Sequence, residues 1–187
     1  MTTSIDKAVS VLNEGGVILY PTDTIWGLGC DATNEDAVKR VFRIKDRTDA
    51  KSMLVLVDRF EMISHYVEAI PEMAQEIIEI TDQPLTIIYP KARNLASNLI
   101  AEDGSIGIRI CQAPICQKLI RQFGRPIVST SANKSGHPPP GRFSDIESLI
   151  IKEVDCIIEG KGWQSRFNRP SPIIKLGMDN QIQIIRQ

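Results

Sequence analysis

Ile5, Ala8, Val9 and Leu12 recur three and four positions apart behind Thr3 or Ser4. That spacing lines up one face of a helix behind a hydroxyl cap, and Gly15-Gly16 then ends it. An apolar run over 17–20 has the length of a buried strand. Asn34 stands as the cap of a second helix over 35–45, with Ala37, Val38, Val41 and Phe42 as its buried stripe. Residues 53–57 read as a strand, and 60–66 and 71–80 as helical stretches, the second opening with Pro71 where a helix tolerates it. Strands are predicted over 85–89 and 106–110, a helix over 114–123 closed by Gly124, and a strand at Ile127-Val128 running into a polar loop. Ser144 and Glu147 have the spacing of a capping box ahead of Leu149-Ile150. Strands over 156–158, 173–174 and 182–185 complete the pattern, and 131–143, rich in Gly, Pro and Ser, reads as a loop. Strands interleaved with helices predict an α/β fold. The last strands follow one another without helices between them, so a twisted mixed sheet flanked by helices is expected.

A length of 187 residues fits one domain over 1–187 with a substantial core, and therefore one principal site. The 22 basic residues nearly balance the 23 acidic ones, so no overall field draws the chain towards nucleic acid or an anionic membrane. Any basic patch must be local. No apolar run is long enough to span a bilayer, and the first residues lack the basic and apolar segments of a signal peptide, so a cytoplasmic location is expected. Cys30, Cys111, Cys116 and Cys156 lack the close paired spacings of a metal site and read as small apolar fillers. His65 and His137 are too few and too scattered to complete a zinc site or a nucleophile–base pair, so no bound metal and no His-activated hydrolysis is expected.

Three segments carry candidate chemistry. Tyr20-Pro21-Thr22-Asp23-Thr24-Ile25-Trp26-Gly27 is a strand end that breaks at proline into hydroxyls, a carboxylate and an aromatic ring. Ligands of open α/β sheets bind beyond strand ends, although a polar turn there is equally ordinary. Lys45, Arg47 and Lys51 fall at the exit of the second helix and in the following loop, where cations can converge on phosphates. For charge alone, a solvated helix face with cations near its C-terminus is the commoner outcome. Ser129-Thr130-Ser131-Ala132-Asn133-Lys134-Ser135-Gly136 offers hydroxyls, an amide and backbone N–H groups that can surround phosphate oxygens without a Walker-type loop. Three hydroxyls in a row favour a functional reading over a plain turn. Arg109 interrupts the apolar alternation of Ile106, Ile108 and Ile110, and Arg186 ends the final strand; each alone more commonly points to solvent. Ser171, between Pro170 and Pro172, sits in a rigid turn that either presents its hydroxyl to a ligand or is structural.

Together these segments resemble the YrdC-like family of threonylcarbamoyl-AMP synthases. The resemblance rests on Tyr20-Pro21-Thr22-Asp23-Thr24 with Gly27-Leu28-Gly29, on Lys45 and Arg47, on Pro84-Leu85-Thr86, on Gly107-Ile108-Arg109, and on 126–133. These keep the family's order and cover almost the whole chain. The resemblance implies a YrdC-like (DHBP synthase-like) fold with a concave, positively lined cavity. It also implies the reaction of L-threonine, bicarbonate and ATP to threonylcarbamoyl-AMP and pyrophosphate, with Mg²⁺ bridging the phosphates. The product would serve N6-threonylcarbamoyladenosine modification of tRNA through threonylcarbamoyl-transfer complex proteins, with a tRNA contact also in view. On the family pattern Lys45, Arg47, Ser131 and Asn133 are the catalytic nucleotide-site set, and Thr22, Thr24, Arg109, Ser129, Ser171 and Arg186 are threonine or nucleotide contacts. The chemistry divides them further: Lys51 and Arg186 are assigned to ATP, and Thr22, Thr24, Arg109, Ser129 and Ser171 to threonine. Thr81-Asp82-Gln83, Met53, Leu56 and Pro172 depart from that pattern and bear on local cavity shape. Two rival readings are a paralogue of the same fold with different or lost activity, and an RNA-binding module using the concave surface. The near-zero net charge weakens the second.

Overall fold

The Asn34 carboxamide oxygen accepts the N–H groups of Asp36 and Ala37 at 3.0 and 3.1 Å, and helix α2 (Glu35–Ile44) follows it. Such a cap contributes about 1 kcal/mol. Gly124, at φ +74°, ends α4 (Pro114–Phe123) in the left-handed region that favours glycine. α1 (Ser4–Asn13) buries Ile5, Ala8 and Leu12 and packs against α4. α3 (Met73–Ile80) and α5 (Ser148–Glu153) are shorter and more exposed. This computed structural model describes residues 4–46, 53–160, 163, 167, 169–179 and 181–187.

Among the described residues nine strands form the sheet: β1 (Ile18–Pro21), β2 (Trp26–Gly29), β3 (Leu54–Val57), β4 (Thr86–Tyr89), β5 (Ile106–Ile110), β6 (Ile127–Ser131), β7 (Cys156–Ile157), β8 (Ile173–Leu176) and β9 (Ile182–Arg186). Their order is β7-β1-β2-β6-β3-β5-β4-β8-β9. The sheet is mixed, with β3 parallel to β5 and β4 parallel to β8, while β2–β6, β3–β6 and β8–β9 are antiparallel. It is the twisted α/β arrangement that the interleaved pattern predicts. All four cysteines are buried free thiols, and burial raises the pKa of the Cys30 and Cys156 thiols, which keeps them protonated and inert as filler.

Four local expectations need correction. β2 is a strand that its Trp-Gly-Leu-Gly sequence does not announce, because glycine is a poor strand former. Its place is set by packing: a Cβ on Gly29 would stand 2.7 Å from the Tyr20 ring and 2.8 Å from the Val128 carbonyl oxygen, so a bare backbone is what fits between β1 and β6. β6 runs on through Ser129, Thr130 and Ser131, which pair with Leu54, Leu28 and Gly27, so the three hydroxyls lie on a strand and not in a loop. The stretch Phe60–His65 is a 3₁₀ helix. Ser144 and Glu147 form no capping box. Asp145 instead accepts the Arg142 N–H at 2.9 Å around the 3₁₀ turn Phe143–Asp145, and the Glu147 carboxylate lies 2.7 Å from Nδ1 of His137.

The antiparallel pairing of β3 with β6 places the start of β3 beside the end of β6. One end of the central strands therefore carries Leu54 with Ser129 to Ser131, and the other carries Asp58 and Pro126.

Candidate active site

At the first of these ends the chain closes a small recess of about 80 Å³. Thr22, Thr24, Arg109, Ser129, Ser131, Ser171 and Arg186, all expected site residues, line it, together with Gly27, Leu54 and Thr130. Sheet order explains the convergence. The β1–β2 turn supplies the two threonines, the neighbouring β6 supplies the serines, β5 brings Arg109, and β8 with β9 brings Ser171 and Arg186.

The turn fixes the direction of its hydroxyls. Thr22 Oγ1 donates to the Ile25 carbonyl at 2.8 Å and accepts the Thr24 N–H at 3.1 Å. Its one proton is spent, so the Thr24 hydroxyl, 3.0 Å away, donates to Thr22 and leaves its own lone pairs as acceptors. The Trp163 indole N–H donates to the Thr22 carbonyl at 2.9 Å, and its ring packs edge-on against Trp26.

Arg109 does not point to solvent. It is 4 % exposed, because β5 is covered by β3 and β4 on its two edges and by the recess residues on its face. One nitrogen stands 3.0 Å from Oδ1 of Asp23 and another donates to Ser171 Oγ at 3.1 Å. The Nε–H is buried without a hydrogen-bond partner among the described residues. Asp23 also accepts the Gln112 N–H at 3.0 Å. Ser171 is shared further: its hydroxyl lies 2.8 Å from that of Thr86, and its carbonyl accepts Nε and Nη2 of Arg186 at 3.0 and 2.7 Å. Burial and the field of Arg109 lower the Arg186 pKa below the ordinary arginine value, yet a guanidinium stays charged at any physiological pH. Two guanidiniums, those of Arg109 and Arg186, thus line the recess, and of the two Arg109 meets the Asp23 carboxylate. The recess is shaped to accept an anion beside a ring of hydroxyls.

Lys45 and Asn133 stand behind this lining. The Lys45 side chain is 1 % exposed, and its ammonium donates to the carbonyls of Ser131 and Asn133 at 2.5 and 2.6 Å. Its own carbonyl accepts the Ser135 N–H at 3.1 Å, so the end of α2 and the loop after β6 are tied at two points. The Asn133 amide nitrogen donates to the carbonyls of Lys134 and His137 at 2.9 and 2.7 Å. Arg47 and Lys51 lie outside the described residues. Asp23 and Thr86 are the partners that residue-by-residue reasoning did not assign a role, although both stood inside recognised segments. Among the described residues no group of three or more His, Cys, Asp or Glu converges to hold a metal ion, and Asp23, beside the recess, is engaged by Arg109 and Gln112. No helix among the described residues is long and apolar enough to cross a membrane.

A twisted α/β sheet with an anion-accepting recess at one end of its central strands defines the class of protein. The family described as Telomere recombination (Sua5/YciO/YrdC) matches residues 10–187, and the chain belongs to that family. It is 36 % identical over 170 residues to the threonylcarbamoyl-AMP synthase of Hahella chejuensis, spanning 90 % of this chain and 91 % of that one. Among solved structures it is similar to P. abyssi Sua5 complexed with L-threonine, at 30 % identity and a TM-score of 0.82 over 92 % of this chain. It spans only 50 % of that longer chain. E. coli YciO is also similar, at 27 % identity and a TM-score of 0.83 over 98 % of this chain and 88 % of that one.

Proposed function

We propose that this chain, as one domain over 1–187, joins L-threonine, bicarbonate and ATP into threonylcarbamoyl-AMP and pyrophosphate. The carrying observation is the recess lined by the guanidiniums of Arg109 and Arg186 and by the hydroxyls of Thr22, Thr24, Ser129, Ser131 and Ser171. Relatives named threonylcarbamoyl-AMP synthase support the same reading.

The chemistry needs no protein nucleophile. The amine of threonine and bicarbonate give a carbamate with loss of water. The carbamate oxygen then forms a bond to the α-phosphorus as the bond from that phosphorus to the bridging oxygen of pyrophosphate breaks. The enzyme's task is to position anions and to neutralise charge as it develops. Arg109, which lines the recess, pairs with the threonine carboxylate, and Asp23 holds the guanidinium in place. The lone pairs of Thr24 face the threonine nitrogen, and Thr22 fixes the turn that aims them. Ser129 and Ser171 complete the threonine side. Ser131, Asn133 and Arg186 serve the nucleotide side, with Arg47 joining them on the family pattern and Lys51 as a further cation for the phosphates. Lys45 is a positioning residue, acting through the carbonyls of Ser131 and Asn133 rather than by reaching the triphosphate. ATP would carry Mg²⁺ as the counter-ion of its phosphates, which would offset part of their charge. The product is passed in the cytoplasm to threonylcarbamoyl-transfer proteins acting on tRNA.

With threonine, bicarbonate and MgATP the purified protein is expected to release pyrophosphate, and omission of threonine is expected to stop the release. Turnover that continues at the same rate without threonine would refute the proposal.

A further inference from the structure

The opposite end of the central strands holds a second cleft, of about 580 Å³, several times the recess in volume. β3 connects the two. Leu54 opens that strand at the recess, and Asp58, just past its other end, stands in the cleft, about 13 Å further along at the usual rise per residue. The cleft lies within the range of volumes that hold small organic ligands.

Its chemistry is built around one buried acid. The Asp58 side chain is 1 % exposed, and both its oxygens lie 2.8 Å from Nη1 of Arg59, while Nε of Arg121 approaches Oδ2 at 3.4 Å. The two arginine side chains are themselves 57 % and 67 % exposed. One carboxylate thus orients two guanidinium forks, and each fork keeps two of its three nitrogens off that acid. Two cations against one anion leave a positive surplus here. Behind them Tyr66 and Ile120, both buried, provide an apolar wall, with the exposed imidazole of His65 at the rim. None of these residues takes part in the chemistry assigned to the recess.

We propose that this cleft is a second binding site, taking the phosphate of a nucleotide whose ring lies against the Tyr66–Ile120 wall. Paired guanidinium forks match the several oxygens of a phosphate, whereas a single carboxylate would satisfy only one fork. The aromatic and aliphatic wall suits a flat heterocycle, and an imidazole at the edge adds a second surface for stacking. Free nucleotide and a nucleotide within an RNA strand present the same chemistry. The site stands apart from the reaction at the recess, so its failure would leave the synthase reading untouched.

The test is a residue-resolved NMR titration of the full ¹⁵N-labelled chain with 5′-AMP and, separately, with a short single-stranded RNA. Saturable shifts are expected at the amides of Thr33, Arg59 and Gly124, which border the cleft. Arg121→Glu, which leaves the Arg59–Asp58 pair in place, is expected to weaken that binding by about tenfold or more, the effect of losing one charge-assisted contact. Arg121→Gln, which sets no repulsion against Asp58, is expected to weaken it in the same direction. Both variants should keep wild-type threonine-dependent pyrophosphate release. RNA binding about ten times tighter than AMP would assign the strand as the source of the nucleotide, and equal or weaker RNA binding would assign the free nucleotide. Shifts confined to the recess, no saturable shift with either probe, or unchanged affinity in the folded Arg121 variants would overturn the site.

Discussion

Lys45→Met is expected to lower threonine-dependent pyrophosphate release by about 100-fold or more while leaving the KM for threonine near wild type. Methionine keeps the apolar stem that lies buried at the end of α2, but it donates no hydrogen bond. The carbonyls of Ser131 and Asn133, held at 2.5 and 2.6 Å by the ammonium, lose that donor. The Ser131 carbonyl still accepts the Asn133 N–H at 2.9 Å, so one part-buried carbonyl loses a donor and a stability loss of about 1–3 kcal/mol is expected in urea unfolding. The catalytic loss exceeds what partial unfolding would cause, because the end of β6 at Ser131 and the turn at Asn133 lose their anchor, and a displacement of about 1 Å can cost about 100-fold in rate. The KM for ATP should rise with the fall in kcat. A folded Lys45→Met protein with wild-type kcat and wild-type KM for ATP would remove the positioning role.

Arg109→Met separates stability from chemistry. The substitution takes from the Asp23 carboxylate its guanidinium and leaves it the Gln112 N–H, in a site where it is nearly as buried as the arginine, and breaking such an ion pair costs about 3–5 kcal/mol. In a chain of this length that corresponds to a fall in Tm on the order of 10 °C. Replacing the acid as well, in Arg109→Met with Asp23→Asn, removes the uncompensated charge and should restore most of the lost stability. It should not restore activity. In both variants kcat/KM for threonine is expected to fall by about 100-fold or more, because the group proposed to meet the amino acid's carboxylate is gone. Thermal unfolding alongside threonine-dependent kinetics checks both halves, and a double variant as active as wild type would show that Arg109 does not meet the substrate.

The legible parts of the fold were those set by local physics. Asn34 and Gly124 mark helix ends because a cap oxygen and a positive φ are properties of one or two residues, and the stripes of α1 and α2 follow from periodicity. β2 was illegible because its stability comes from being sandwiched between β1 and β6, where glycines allow close approach, and not from strand propensity. Ser129, Thr130 and Ser131 looked like a loop because polar residues seldom end a central strand unless that end faces a ligand site. In the site, the residue types were readable, but their company was not. Asp23 meets Arg109 across 86 positions of sequence, a pairing that only the sheet order determines. Arg109, read from alternation alone, belongs in water; β3 and β4 on either side of β5 put it in the interior. The Asp58 cleft was silent for the same reason, since Arg121 reaches the acid from α4.

The most direct measurement is the mass of the nucleotide product formed from threonine and MgATP in ¹³C-bicarbonate. An adenylate containing threonine and one added carbon, heavier by one mass unit than the product from ordinary bicarbonate, is the predicted result. A threonyl adenylate without that carbon, or ADP or AMP alone, would contradict it.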